Sequence, residues 1–525
     1  MITGKNIIGN SLSAKGSKSY KTFNPIKNEE NPQEFWEASS EEIDRAVELA
    51  SSAFEEYRNA SGKDKAEFLR TITKEISALG DDLVQMYCME SGLPQGRAEG
   101  ERGRTINQLL AFADLVEEGS WVEASIDTAI LDRIPLPKSD IRKMNIPLGP
   151  VVVFGSSNFP FAFSTAGGDT ASALAVGCPV IVKAHPMHSG TSEMVASAII
   201  KAANKAGMPE GVFSNLNSSG IEVGQLLVSH PKIKAVGFTG SIKGGRALFD
   251  LAAKREEPIP VFAEMGSINP VVILPSALKE KSDEWATQYA GSINLGVGQF
   301  CTNPGLILGI ESNELSDFTQ KLGSQLTSLD QGSMLHPNIH SSYQKGSEQI
   351  SDQDEVLVVA ENDGDSKPNF ANQKLVSVKG SSFLKNKNLH REVFGPFSMI
   401  VQCKDESELL DIIKNLEGQL TGTVLGSDKE IKDHTSIIDA FQNRVGRIIF
   451  NGVPTGVEVC PSMMHGGPYP ASSDSRYTAV GTHAIARWVR PFAFQDWPNE
   501  SLPPELQDGN PLGIERLVNG KSSRK

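Results

Sequence analysis

The hydrophobic pattern of this chain changes character at about residue 150. Before that point, apolar positions recur at helical spacing, first after a capping box formed by Ser39 and Glu42 and again over 63–79 and 101–117. After it, short uninterrupted apolar runs alternate with helical stretches. Strands without polar alternation are buried on both faces, as in a parallel sheet covered by crossover helices. The pattern therefore predicts a helical layer followed by a doubly wound α/β region.

The predicted elements fall into two α/β halves separated by a glycine-rich segment. The first half has predicted strands at 150–155, 179–183, 234–238 and 270–274, with helices at 165–176, 189–206 and 244–255. The second half has predicted strands at 306–310, 356–359, 398–402, 421–425 and 447–451. Apolar residues mixed with prolines and charges over 128–147 indicate an extended excursion. The tail 482–491 predicts one more strand, and the basic end 521–525 is expected to be frayed and solvated.

Composition narrows the class of protein. With 525 residues the chain is too long for a single core, so two or three domains are expected. A formal net charge of −14 disfavours nucleic acid and anionic membrane surfaces as partners, because both need a basic face. Five scattered cysteines predict free thiols in a reducing compartment, and no apolar run is long enough to span a bilayer. We therefore expect a cytoplasmic protein that binds neither nucleic acid nor membrane.

Polar residues follow three of the predicted strands of the first half. Asn158 comes after the first strand, Lys183 ends the second, and Gly240-Ser241 follow the third just before a helix. Ligands of doubly wound sheets bind at the carboxyl ends of the strands. A glycine turn that leads into a helix N-terminus also offers free N–H groups to an anion. The pattern indicates an anionic ligand, although each residue taken singly is equally typical of an ordinary β–α turn.

Cys301 lies in the glycine-rich segment between the two halves. Glycines on either side allow close approach to its thiol, which suits a nucleophile. A lone free cysteine is more often a small buried hydrophobe, and the segment alone leaves both interpretations open. His185 and His188 lie three positions apart, but no carboxylate or third ligand accompanies them, so no metal is expected.

Six short motifs then occur in a fixed order along the chain. They are Asn158 in Asn-Phe-Pro, Lys183 after Val-Ile-Val, Gly240-Ser241 after Phe-Thr, Glu264 in Glu-Met-Gly-Ser-Ile-Asn-Pro, Cys301 in Gly-Gln-Phe-Cys-Thr, and Glu392 in Glu-Val-Phe-Gly-Pro-Phe. This order resembles the aldehyde dehydrogenase superfamily, from about residue 10 to about residue 490. The segment after Lys183 and the terminal segment 502–514 are similar to the branch of 2,5-dioxopentanoate (α-ketoglutaric semialdehyde) dehydrogenases and NADP-dependent fatty aldehyde dehydrogenases.

The resemblance implies a three-part α/β fold. A Rossmann-type cofactor domain would comprise 1–128 and 147–265, and an α/β catalytic domain would comprise 266–470. A β-arm for oligomerisation, with a C-terminal extension, would comprise 129–146 and 471–525. The resemblance also implies a homodimer or homotetramer.

The resemblance assigns roles that the chemistry of aldehyde oxidation requires. A thiolate at Cys301 adds to the aldehyde, and the Asn158 amide with the Cys301 N–H stabilises the resulting oxyanion. Glu264 activates the water that hydrolyses the thioester. The cofactor residues implied are Lys183 on the adenosine ribose, Gly240 and Ser241 at the phosphates, Glu392 on the nicotinamide ribose and Phe394 packing beside it.

One departure from the family pattern and several alternatives bear on specificity. Relatives that favour NAD often carry a glutamate where this chain has Pro186, so NADP is the expected cofactor and NAD remains possible. The expected substrate is 2,5-dioxopentanoate, with Arg104 as the candidate cation for its carboxylate. A fatty aldehyde dehydrogenase would need an apolar funnel instead, and a CoA-acylating enzyme generally lacks a glutamate matching Glu264. A cysteine hydrolase or acyltransferase would need a base histidine beside the thiol, and an inactive binding protein is the remaining alternative.

Overall fold

The structure, a computed structural model, describes residues 2–364 and 367–524. The N-terminal part has two short hairpins and a helical layer. Its elements are β1 (Asn6–Ile8), β2 (Ser11–Ser13), β3 (Ser19–Asn24), β4 (Glu29–Trp36), α1 (Ser40–Tyr57), α2 (Gly62–Ala78), α3 (Gly80–Ser91) and α4 (Gln95–Glu118). The predicted capping box is confirmed, because Ser39 Oγ accepts the Glu42 N–H and the Glu42 carboxylate accepts the Ser39 N–H. Helix α4 begins at Gln95, earlier than predicted, directly after Pro94.

The first sheet is doubly wound, as predicted. The elements of this region are β5 (Ser125–Asp127), β6 (Ile141–Pro147), β7 (Val151–Phe154), α5 (Gly168–Val176), β8 (Val180–Lys183), α6 (Ser189–Lys205), β9 (Phe213–Leu216), α7 (Glu222–Ser229), β10 (Ala235–Thr239), α8 (Ile242–Ala253) and β11 (Val261–Glu264). The strand order is β11-β10-β7-β8-β9-β1-β2, with the first five strands parallel and the β1–β2 hairpin added antiparallel at one edge.

Burial on both faces of this sheet explains its unbroken apolar runs. Val151 and Val153 of β7 pack into the core on the side of α2, α4 and α5, whereas Val152 packs into the core beneath α1 and α7. All three side chains are at most 1% exposed. Since successive side chains of a strand point to opposite faces, a strand covered on both sides has no position for a polar residue until its end.

The second half forms a second sheet of seven strands. Its elements are β12 (Val271–Ile273), α9 (Pro275–Asn294), β13 (Leu306–Ile310), α10 (Asn313–Thr327), β14 (Gly332–Ser333), α11 (Pro337–Ser351), β15 (Leu357–Glu361), β16 (Phe370–Ala371), β17 (Lys374–Lys379), α12 (Gly380–Lys385), β18 (Phe397–Cys403), α13 (Glu406–Asn415), β19 (Gln419–Leu425), α14 (Asp428–Asp433), α15 (Thr435–Gln442) and β20 (Val445–Phe450). The order is β15-β17-β18-β13-β12-β19-β20. The placement of 270–274 in the first half was therefore wrong, because β12 pairs with β13 and β19 in the second sheet.

A third, smaller sheet joins the excursion after β5 to the end of the chain. Its order is β21-β6-β5-β22-β23, with β21 (Val489–Gln495), β22 (Arg516–Val518) and β23 (Lys521–Ser523). The strand predicted over 482–491 is wrong in its first part, since Thr482–Trp488 is a 3-10 helix. The expectation of a frayed basic end is also wrong: β23 pairs with β22, and Arg524 forms an ion pair with Glu118 at 3.1 Å.

Strand registers bring the polar strand ends to one edge of the first sheet. Thr239 of β10 is paired with Glu264 of β11, and Phe154 of β7 is paired with Lys183 of β8. Because these strands are parallel and adjacent, their carboxyl ends form a continuous row facing the second sheet. Within 2–364 and 367–524, no helix is both long and apolar enough to cross a bilayer.

Candidate active site

Cys301 follows a turn that only particular residues can form. The turn lies between α9 and β13, and Gly296, Val297 and Gly298 all have positive φ angles, of 57°, 57° and 67°. Such angles are costly for the β-branched Val297, which indicates that the surrounding structure holds the turn in place. A Cβ on Gly298 would lie 2.1 Å from the carbonyl carbon of Gly395, so only glycine allows these two turns to touch.

Two asparagine side chains hold the Cys301 backbone in position. Asn269 Nδ2 donates to the carbonyls of Cys301 and Asn303, both at 2.9 Å. Asn303 Nδ2 in turn donates to the carbonyls of Gly298 at 3.0 Å and Gly395 at 2.8 Å. Asn269 belongs to the segment between β11 and β12, so this network joins the cysteine turn to the link between the two sheets.

The Cys301 thiol lies in a buried environment of mixed charge. Burial, with a smaller contribution from the Glu264 carboxylate, raises the pKa of the Cys301 thiol to about 12 against the opposing guanidinium of Arg104. Cys301 Sγ lies 3.6 Å from Nε2 of His465. A buried protonated thiol has to lose its proton as its sulfur attacks a carbonyl, because the thiolate is the nucleophile.

His465 is a site residue that sequence reasoning missed. It is 164 positions from Cys301, with no spacing that marks it as a partner. Burial, followed by the positive charges of Arg104, Arg447 and Arg487, lowers the pKa of His465 to about 3. The ring is therefore neutral in this state. A thiolate–imidazolium pair of the kind that activates cysteine hydrolases does not form.

Asn158 is brought to the cysteine turn from the end of β7. Its Nδ2 donates to the carbonyl of Gln299 at 3.1 Å, two residues before Cys301. An amide nitrogen carries two N–H groups, so the second N–H remains available to an oxygen near the thiol. Asn158 therefore lies beside the segment that carries Cys301, and its role toward an oxyanion stays a prediction.

Glu264 is the last residue of β11, and its carboxyl group is buried. Its Oε2 has no hydrogen-bond partner in the part of the chain that the structure describes, and the residue is 8% exposed. Burial raises the pKa of Glu264 well above its usual range; Arg487 opposes that shift and Asp169 adds to it. Arg487 and Asp169 form a buried ion pair at 2.7 Å, which leaves little net charge to hold Glu264 ionised.

The Lys183 and Gly240-Ser241 segments lie at the same sheet edge as Glu264. Ser241 caps α8, with its Oγ accepting the Gly244 N–H at 3.1 Å, and the Gly240 N–H donates to the Glu264 carbonyl at 3.0 Å. Burial lowers the pKa of Lys183 to about 8, against the opposing charge of Glu37. A capped helix N-terminus after β10 and a cation at the end of β8, two strands away in the same sheet, suit a phosphorylated ligand.

Glu392 and Phe394 reach the site from the turn before β18. Both line a cavity that Ser267 and Phe300 also border. A Cβ on Gly266 would lie 2.7 Å from Glu392 Oε2, so the glycine leaves room for this carboxylate beside the segment that follows Glu264. The turn before β18 thus brings Glu392 and Phe394 next to Ser267, which follows β11, and to Phe300, the residue before Cys301.

Arg104 projects from α4 toward the thiol. Its guanidinium lies 5.3 Å from the ring centre of Phe163 and 5.9 Å from that of Phe159. Its Nε and Nη2 atoms are buried without a hydrogen-bond partner among residues 2–364 and 367–524. Burial lowers the pKa of Arg104, with the Cys301 and Glu101 side chains opposing the shift.

A doubly wound sheet, a nucleophilic thiol with an amide beside it and an enclosed carboxyl group define an oxidoreductase that works through a covalent thioester. The chain belongs to the aldehyde dehydrogenase family, whose profile matches residues 12–473. The family resemblance inferred from the six motifs is thereby confirmed.

Relatives and solved structures agree with this assignment. The chain is 46% identical over 522 residues to α-ketoglutaric semialdehyde dehydrogenase 2 of Azospirillum brasilense, covering 99% of each chain. It is 42% identical over 518 residues to α-ketoglutaric semialdehyde dehydrogenase of Acinetobacter baylyi, covering 98% of each. A crystal structure of betaine aldehyde dehydrogenase from Staphylococcus aureus in complex with NAD⁺ shares the fold with a TM-score of 0.81 at 18% identity, covering 95% of this chain and 97% of that one.

Enzymes of this family use NAD or NADP, and the residues present fit such a dinucleotide. A Cβ on Gly240 or Gly244 would come within 2.7 or 2.9 Å of the Phe238 ring, so the turn before α8 needs glycine at both positions. This packing leaves the α8 N-terminus open, and N–H groups at a helix start stabilise phosphate. Lys183 has no ion-pair partner in the described part of the chain.

Proposed function

We propose that this enzyme oxidises 2,5-dioxopentanoate to 2-oxoglutarate, with NADP or NAD as the hydride acceptor. The named activity of relatives that match nearly the whole chain supports this substrate. The single structural observation that carries the proposal is the guanidinium of Arg104, buried near Cys301 with two nitrogen atoms unpartnered. A buried cation without a partner is costly, and the carboxylate of an oxo-acid aldehyde would compensate it.

In the first step, the Cys301 sulfur forms a bond to the aldehyde carbon. The thiol gives up its proton to solvent as the sulfur attacks, because His465 Nε2, although only 3.6 Å away, is a poor proton acceptor with a pKa of about 3. The carbonyl oxygen becomes an alkoxide, which the Asn158 amide and the Cys301 N–H stabilise. Such donors are each worth about 3–4 kcal/mol in the transition state.

When bound, the dinucleotide accepts the hydride that leaves the substrate carbon, and a thioester of Cys301 remains. Glu264 then takes a proton from water, the hydroxide adds to the thioester carbonyl, and the C–S bond breaks to release the acid. A carboxyl group with a raised pKa is a stronger base once ionised, which suits it to deprotonate water. Lys183, Gly240 and Ser241 would bind the adenosine ribose and phosphates, and Glu392 and Phe394 the nicotinamide end.

Three alternatives fit less well. A CoA-acylating enzyme would not need the enclosed carboxyl of Glu264. A cysteine hydrolase requires a base histidine, and His465 lies next to the thiol. The depressed pKa of His465, however, disfavours a resting thiolate–imidazolium pair. A hydrolase would also leave the dinucleotide residues without a role. A fatty aldehyde dehydrogenase would not bury the cation of Arg104 beside the thiol.

A comparison of three aldehydes tests the proposed substrate. We expect kcat/KM to be highest for 2,5-dioxopentanoate, lower for succinate semialdehyde, and lowest for octanal, because only the acids offer a carboxylate to Arg104. The measurement is NAD(P)H absorbance at matched cofactor concentration, with and without CoA. A higher kcat/KM for octanal would disprove the oxo-acid assignment, and dependence on CoA would make the enzyme an acylating one.

We infer that NADP is used at least as well as NAD, because no carboxylate follows Lys183 at position 186 to repel a 2′-phosphate. The expected ratio of kcat/KM for NADP over NAD is one or more. Pro186→Glu should lower that ratio by roughly tenfold or more, since a like charge costs more than about 1.4 kcal/mol at this range. Pro186→Gln, which loses the proline ring without adding charge, is the matched control and should change the ratio much less. A wild-type enzyme that prefers NAD 100-fold would refute this inference.

We propose that the third sheet and the excursion between β5 and β6 form an oligomerisation arm, giving a homodimer or homotetramer. Leu131, Ile134 and Leu136 of this excursion are 80%, 90% and 70% exposed. Contiguous apolar side chains of this kind normally mark a protein–protein contact.

We also propose a cytoplasmic location, consistent with five free cysteines.

A further inference from the structure

Arg447 is a second arginine near the thiol, and it forms no ion pair with a carboxylate among the described residues. It lies on β20, and its Nη1 is 3.0 Å from the Met463 sulfur, a weak acceptor. Its Nε is buried without a hydrogen-bond partner among the residues the structure describes. Burial lowers the pKa of Arg447, and the thiols of Cys301 and Cys460 oppose the shift.

Arg104 and Arg447 approach the thiol past the same apolar wall. This wall, which we call the aromatic wall, is the cluster of Phe159, Ala162, Phe163, Phe300 and Val480, against which Val457, Val459 and Met463 also pack. Arg104 lies over two of its rings, and Arg447 contacts it through Met463. Both guanidinium groups also act on His465, the ring beside Cys301 Sγ. The two cations therefore approach His465 from different elements, Arg104 from α4 and Arg447 from β20.

The other arginines of this region have their charges compensated. Arg487 is paired with Asp169 at 2.7 Å, and Arg97 is paired with Glu101 at 3.4 Å. No such carboxylate lies within ion-pair distance of Arg104 or Arg447 in the described ranges. Two cations that act on the same ring and have no carboxylate partner would be stabilised by an anion bound beside them.

We propose that Arg447 acts with Arg104 to bind the 2-oxocarboxylate end of the substrate, and thereby selects oxo-acid aldehydes. This inference rests on the proposed function and names a second specificity residue for it. A 2-oxo acid presents three acceptor oxygens in one plane, and guanidinium groups donate to such planar acceptors in pairs. The carboxylate neutralises one of the two positive charges, and the 2-oxo group accepts from the N–H groups that remain.

The test compares three aldehydes of five carbons: 2,5-dioxopentanoate, 5-oxopentanoate, which lacks the 2-oxo group, and pentanal, which lacks the carboxylate as well. We expect Arg447→Met to lower kcat/KM for 2,5-dioxopentanoate by about 10- to 100-fold, mainly through KM, as for the loss of charge-assisted hydrogen bonds. The loss for pentanal should be much smaller. Arg447→Lys, which keeps the charge but not the paired donors, should recover part of the activity on the acids.

Arg444→Met is the matched control. Arg444 lies just before β20 and donates to the Lys414 carbonyl on the outer side of α13, so the same substitution there should leave all three kcat/KM values unchanged. Equal losses of Arg447→Met on the acids and on pentanal would overturn the proposal, because they would show a structural or thiol-activating role. A wild-type preference for pentanal would instead refute the proposed substrate itself, so the two failures are distinguishable.

Discussion

Cys301→Ala should abolish aldehyde oxidation while leaving dinucleotide binding intact. The sulfur forms the adduct from whose carbon the hydride leaves, and no other described thiol contacts His465 in its place. Removing a covalent nucleophile typically lowers kcat by at least about 10⁴-fold. The measurement is NAD(P)H formation at saturating aldehyde, together with dinucleotide affinity by fluorescence titration.

Cys88→Ala provides the control, since Cys88 is also a half-buried free thiol but lies on α3 in the helical layer. This variant should retain the activity of the wild type. If Cys301→Ala kept more than a few per cent of wild-type turnover, Cys301 would not be the nucleophile. If it lost dinucleotide binding as well, the turn between α9 and β13 would have a structural role that the substitution disturbs.

Glu264→Gln should separate the two halves of the reaction. The variant is expected to form about one NAD(P)H per active site in the first turnover and then to stall as the thioester, because glutamine cannot take a proton from water. Loss of a general base typically slows the step by about 10²- to 10⁴-fold. Rapid mixing with 2,5-dioxopentanoate measures the burst, and mass spectrometry of the quenched protein detects the acyl group on Cys301.

Aspartate gives the matched control for this experiment. Glu264→Asp keeps the carboxyl group but shortens its reach, so it should deacylate faster than the glutamine variant. If Glu264→Gln lost the burst and the steady state equally, Glu264 would act in acylation or in maintaining the fold, and its assignment as the hydrolytic base would be wrong.

The pH dependence of deacylation follows from the pKa of Glu264. Burial raises this pKa, so the carboxyl group is protonated at pH values where an exposed glutamate is already ionised. Only the ionised form is a base. The rate of thioester hydrolysis should therefore rise with pH through the raised pKa and fall below it, and the Glu264→Gln variant should lack this rise.

Much of the catalytic site was predictable because each residue adjoins a strong local signal. Cys301 stands in a glycine turn, Lys183 ends a buried strand, and Glu264 precedes a turn that joins two sheets. Chain order then placed Lys183 and Glu264 at strand ends, and the carboxyl ends of parallel strands meet. The registers of β7, β8, β10 and β11 bear this out.

The errors in the predicted fold concerned which strands pair with each other, and not which segments tend to form strands. The apolar run of β12 correctly predicted a strand buried on both faces, but nothing in it distinguishes the first sheet from the second. The basic end 521–525 has no apolar pattern, yet β23 is held by its backbone pairing with β22 and by the ion pair of Arg524 with Glu118. Backbone pairing of this kind depends on distant segments, which local composition does not encode.

The sequence by itself determined the fold class, the family, the candidates for the nucleophile and the hydrolytic carboxylate, and the strand-end residues of the first sheet, because these follow from periodicity and from motifs a few residues long. Only the tertiary structure decided the surroundings of the thiol. His465 lies 164 positions from Cys301, and Arg447 comes from the last strand of the second sheet. Their effect on the site depends on burial and on distances between charges, and both arise only when the two sheets pack against each other.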